Sequence, residues 1–135
     1  MTNEETDEYL ERLISTTRKA MEEAKADRVK IVQRRAEEEE QRLNQGALEV
    51  LEKLPGMVQM AILNGQSMIE GFYYPTGENA YIHMDGHGRS EGVELCGVAA
   101  HVVRLGNRMA GFHFEAVDVP VSGGNRRAVV QVSWC

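Results

Sequence analysis

Apolar residues recur every eleven positions through the first part of the chain. Leu10, Met21, Val32, Leu43 and Leu54 form one row, and Ile14, Lys25, Ala36 and Ala47 a second, with Lys25 as its defect. Eleven residues over three turns is about 3.67 per turn, so the stripe runs nearly parallel to a straight helix axis with a slight right-handed drift. Between residues 3 and 54 there is no proline and a single glycine, Gly46, and the segment is dominated by Glu, Arg, Lys, Gln, Ala and Leu. These are good helix formers. Glu4, Glu5, Asp7 and Glu8 crowd the first turns, where acids complement the positive end of the helix dipole. Glu8 and Arg12, Glu38 and Arg42, and Glu49 and Lys53 are spaced i,i+4 with the acid first, the favourable order.

The pattern predicts one long charged helix ending at Pro55. At ~1.5 Å per residue it would reach roughly 75 Å, too far to bury its stripe against a domain of about 80 residues. The stripe therefore calls for another helix, from a second copy of the chain or from a fold-back at Asn44-Gln45-Gly46. Its register holds across Gly46 through Leu43, Ala47, Val50 and Leu54. That favours a continuous helix and self-association through residues 10–54. The bland alternative is a solvated charged helix.

After Pro55 the pattern changes, and residues 1–55 and 56–135 are read as helical segment and compact domain. Residues 56–63 (GMVQMAIL) form a short apolar helix stopped by Asn64-Gly65. Residues 67–74 and 80–84 have strand character and are placed to form a hairpin, with Gly71 marking a bulge. A glycine-rich loop, residues 85–92, leads to a predicted helix over 93–109 with Ser90 as its N-cap. The clearest hairpin is last. Residues 112–119 place Phe112, Phe114 and Ala116 on one face, and residues 127–134 do the same for Ala128, Val130, Val132 and Trp134, around a turn at Ser122-Gly123-Gly124-Asn125. The expected fold class is α+β: a long N-terminal helix followed by a small antiparallel or mixed sheet packed on one buried helix.

Composition narrows the function. Residues 1–55 hold 14 acidic and 10 basic side chains, so −4 of the net −6 lies there. A diffuse acidic balance argues against non-specific binding to nucleic acid or anionic membrane. No apolar run approaches the roughly 20 residues needed to span a bilayer. The first residues lack a secretory pattern, which predicts a cytoplasmic protein. Cys96 and Cys135 lack CxxC spacing and make no disulfide framework. Cys96, in an apolar helical pattern, reads as inert packing. Arg104, Arg108, Arg126 and Arg127, with Tyr73, Tyr74 and Tyr81, could form a nucleic-acid surface only by gathering on one edge, and no RNP-like or helix-turn-helix pattern accompanies them.

Two clusters carry candidate chemistry. His83-x-Asp85-x-His87 would converge on one face of a continuous strand and offer two imidazoles and a carboxylate to a metal ion. His101 or His113 could complete the set. The alternative is a polar strand end with surface histidines. The loop residues Gly86, Gly88, Arg89 and Ser90, between a strand and a helix N-terminus, would suit an anion. The alternative there is a connection whose glycines supply positive φ. No catalytic constellation or required cofactor follows from the sequence. The leading expectation is a non-enzymatic protein-binding or assembly module that oligomerises through its N-terminal helix and meets a protein partner. The competing one is a small metal- or anion-binding enzyme or sensor built on His83, Asp85, His87 and the loop.

Overall fold

The computed structural model describes residues 2–134. The elements are α1 (Asn3–Leu51), α2 (Leu54–Leu63), β1 (Met68–Tyr73), β2 (Ala80–Met84), β3 (Ser90–Leu95), α3 (Gly97–Gly106), β4 (Phe112–Pro120) and β5 (Arg126–Trp134). The fold is α+β. The chain divides into two units, one up to Glu40 and one from Gln41 onward.

The first unit is helical from Asn3 onward. Its start is fixed by a reciprocal cap: the Glu5 N–H donates to Thr2 Oγ1 at 3.2 Å, and the Thr2 N–H donates to Glu5 Oε2 at 3.3 Å. Each side chain satisfies a backbone donor that the first helical turn leaves open. The apolar stripe of this unit is solvent-facing.

In the second unit the last turns of α1, together with α2 and α3, cover one face of a three-stranded antiparallel sheet ordered β1-β5-β4. Ala47, Leu54, Phe72, Val102, Phe114, Val130 and Val132 form the core, with Phe72 edge-on to Phe114 at 5.6 Å between ring centres. The β4–β5 register is the one the alternation requires: Phe114 faces Val132, Ala116 faces Val130 and Phe112 faces Trp134. The turn between them uses Gly123 at φ 80° and Gly124 at φ 75°, conformations open to glycine.

Gly46 does not break α1. A Cβ there would lie 3.1 Å from Val98 Cγ2, and neighbouring Ala47 is fully buried. These small residues let α1 approach α3 closely. The helix stops at Leu51, before Pro55, and Pro55 instead sits in the first turn of α2, where its missing N–H costs nothing. α2 ends in a Schellman motif: Gln66 N–H bonds Ala61 O, Gly65 N–H bonds Ile62 O, and Gly65 takes φ 73°.

Two expectations are corrected. Residues 90–95 form strand β3, so the helix predicted over 93–109 covers only Gly97–Gly106, and Cys96 rather than Ser90 precedes it. Gly92 at φ 155° and Gly97 at φ 59° interrupt a helical path that the apolar pattern alone would permit. Second, β1 does not pair with β2. β1 pairs with the terminal strand β5, with a register shift between Ile69 and Tyr73 around Gly71, and β2 pairs with β3 as a separate two-stranded sheet. The continuous helix that the register across Gly46 favours is present, and the alternative fold-back at Asn44-Gln45-Gly46 is not.

One side chain caps the edge strand β4 at Phe114. Asn107, just after α3, donates from Nδ2 to Phe114 O at 2.9 Å and accepts the Phe114 N–H at Oδ1 at 2.6 Å. The amide thus stands in for a neighbouring strand at a fully paired two-point contact.

Candidate functional site

The histidine and glycine-loop clusters lie on the β2–β3 hairpin, and their geometry is that of a self-satisfied turn. His83 Nε2 is 2.9 Å from Glu94 Oε2 on the facing strand and stacks edge-on with Tyr81. Asp85 Oδ1 accepts the backbone N–H groups of His87 and Arg89, both at 2.8 Å. His83, Asp85 and His87 therefore each serve or sit within the local turn and do not converge. Among the described residues no group of three or more His, Cys, Asp or Glu side chains is arranged to hold a metal ion. His101 is buried on α3 with Nδ1 2.9 Å from Gly97 O, and His113 is 3.5 Å from Glu115.

Gly86, Gly88, Arg89 and Ser90 connect two strands instead of opening a helix. The Asp85 carboxylate already occupies two backbone donors that an anion would need, one of them Arg89 N–H. Gly88 takes φ 76°, the tight-turn role of glycine. The Ser90 side chain bonds Asp118.

Asp118 is a residue the sequence did not single out. It accepts a hydrogen bond from Arg126 Nε at 2.5 Å. The Arg126 hydrogen bond, then that from Ser90, holds its carboxyl below the usual value of 3.8. A carboxylate stabilised in this way adds stability at pH values above its unfolded pKa and loses it as pH falls through its folded pKa. Asp118→Asn is therefore expected to lower stability at pH 7. The gap between variant and native chain should narrow below about pH 4, read as urea midpoints at pH 7 and pH 3. A gap that does not shrink in acid would show that the ion pair is not its source.

Two of the four arginines are engaged by neighbouring side chains. Arg126 is bound to Asp118, and Arg127 lies over the Tyr74 ring at 4.5 Å. Arg108 borders an apolar hollow of about 590 Å³ with Leu51, Leu54, Leu105 and Met109. Cys96 is exposed, with Sγ 3.2 Å from Glu78 O, rather than packed within a helix. Cys135 lies outside the described residues.

Exposed apolar surface is also present, most of it in two places. The first is α1 in the helical unit. Tyr9, Leu10, Leu13, Ile14, Met21, Val29, Ile31 and Val32 are all exposed there, Leu10 at 49%, Met21 at 52% and Val32 at 57%. Each eleven-residue row thus has two fates, since Leu54 at the far end of the first and Ala47 at the far end of the second are buried in the domain core. The second is α2, where Met60, Ile62 and Leu63 are exposed. Beside it runs a groove of about 760 Å³ along the open edge of β1, lined by Met57, Met60 and Met68. Residues 56–63, apolar almost all round, carry the signal for this: such a helix in a small domain has more apolar surface than one contact can cover.

No protein-family model, curated protein or solved structure matches the chain. No helix among the described residues is long and apolar enough to cross a membrane.

Proposed function

We propose that the protein is a non-enzymatic assembly module that self-associates through the exposed part of α1 and presents its α+β domain to a protein partner. The row Leu10, Met21 and Val32, with Ile14 beside it, supports this reading. An ordered helix whose large apolar residues recur on one face gains little from that order in water. Short of a partner, most helical stability in proteins comes from packing such a face. A row of exposed large apolar residues of this kind supports an interaction surface. The assembly segment is confined to the residues before Gln41, because Ala47 and Leu54 are used in the core.

The test is solution mass by light scattering after size exclusion, on the full chain and on a chain starting at Gln41. The full chain is expected to be a dimer or larger and the shortened chain a folded monomer. Truncation at Gly56 would be uninformative, since it removes Ala47 from the core. A full chain that stays monomeric at high micromolar concentration would overturn the reading.

A further inference from the structure

We infer that the partner of the α1 stripe is a second copy of the same helix, lying antiparallel with its crossing point at Met21. This deepens the self-association reading and rests on it; what is added is the orientation and register, which the charges decide.

Along α1 the charges come in blocks. Residues 4–11 carry Glu4, Glu5, Asp7, Glu8 and Glu11 and no base, whereas residues 28–35 carry Arg28, Lys30, Arg34 and Arg35 and no acid. All these side chains are exposed. Two of the bases also stand on the stripe. Arg28 is eleven residues after Thr17, and Arg35 eleven after Ala24, so each shares the angular position of a small residue one repeat earlier.

A parallel, in-register pair would set each acidic block on its twin and bring Arg28 onto Arg28 and Arg35 onto Arg35 at the centre of the contact. Like charges at a contact are a strong bar to that partner. Antiparallel pairing about Met21 reverses every one of these encounters. Position i then faces position 42 − i, which brings Asp7 beside Arg35, Glu8 beside Arg34, Leu10 beside Val32 and Met21 beside Met21. Arg28 meets Ile14, over which its aliphatic stem can lie while the guanidinium reaches water. The like pairs that this register leaves, Arg12 with Lys30, Glu4 with Glu38 and Glu5 with Glu37, do not lie on the stripe. One apolar row and two opposite charge blocks thus satisfy the same two-fold axis, as a closed homodimer interface must.

Directional cross-linking separates the arrangements. In the full-length chain with Cys96→Ser and Cys135→Ser, Leu10→Cys and Val32→Cys are introduced singly. Each variant is oxidised alone, and the two are also mixed, unfolded, refolded together and oxidised, at a concentration where light scattering reports dimer. The expected result is a disulfide-linked heterodimer in the mixture, with at least about fivefold more product than either variant forms alone. Efficient self-linking of each single variant, with none across the mixture, would establish a parallel pair and overturn the inference while leaving self-association standing. A dimer that links in no combination would place the interface elsewhere and also overturn it. A monomer by light scattering would remove the self-association reading along with this one.

Discussion

Gly106→Ala should destabilise the domain by about 2 kcal/mol, and Gly106→Val by more. Gly106 is the last residue of α3. A Cβ on it would sit 2.5 to 2.6 Å from three carbons of the Phe114 ring. That ring cannot retreat: it is 1% exposed, packs edge-on against Phe72, and its own backbone is clamped by Asn107. The extra carbon must therefore move α3 away from β4 or force Phe114 out of its rotamer, and close-packed interiors resist both. Domains of this size hold only about 5–15 kcal/mol in total, so the valine variant is expected to be largely unfolded at 37 °C. The control is Gly56→Ala in α2, where nothing lies within 4 Å of the new carbon. There the helix propensity of alanine should raise stability by up to about 1 kcal/mol. Urea unfolding of the two variants reads the difference directly, and equal effects at the two sites would mean that α3 does not approach β4 this closely.

Met21→Asp should abolish self-association. In the proposed antiparallel pair Met21 lies on the two-fold axis and meets its twin, so one substitution would alter the centre of the contact twice. Burying one such side chain contributes about 1.5–3 kcal/mol. Two copies correspond to roughly 100-fold to 10,000-fold in the dimer dissociation constant, with repulsion between the two carboxylates adding to it. Thr16→Asp introduces the same charge on the far side of the helix, at a position that faces Ala26 in this register, and should change the constant less than about threefold. Sedimentation equilibrium across a concentration series measures both. A dimer indifferent to Met21→Asp would show that the stripe is not the contact. Circular dichroism of the variant then separates loss of pairing from loss of helix.

The two variants probe parts of the molecule that were legible in the sequence to different degrees. The eleven-residue row was readable because helical periodicity is a local property, set by residues three and four apart. The terminal hairpin was readable for the same kind of reason, since alternation fixes which residues share a face and Gly123-Gly124 fixes the turn. The segment between residues 85 and 97 was not. Its apolar residues, Val93 and Leu95, fit a helix or a strand equally over so short a run, and what decided between them was pairing with Ala80, Tyr81 and Ile82 on β2. With that strand in place, the loop loses the helix N-terminus that made it a candidate anion site, and Asp85 fills the donors that remain.

The sequence by itself determined a long helix with one apolar face, an α+β domain after it, and the inward faces of β4 and β5, because each follows from spacing along the chain. Tertiary structure decided that β1 joins the last strand instead of its neighbour, that Gly46 is a point of close approach instead of a hinge, and that Asn107 and Asp118 matter. It also decided where the apolar row divides, with its far end in the core and its beginning exposed. Those outcomes depend on which surfaces meet across long separations in sequence, and no periodicity encodes that.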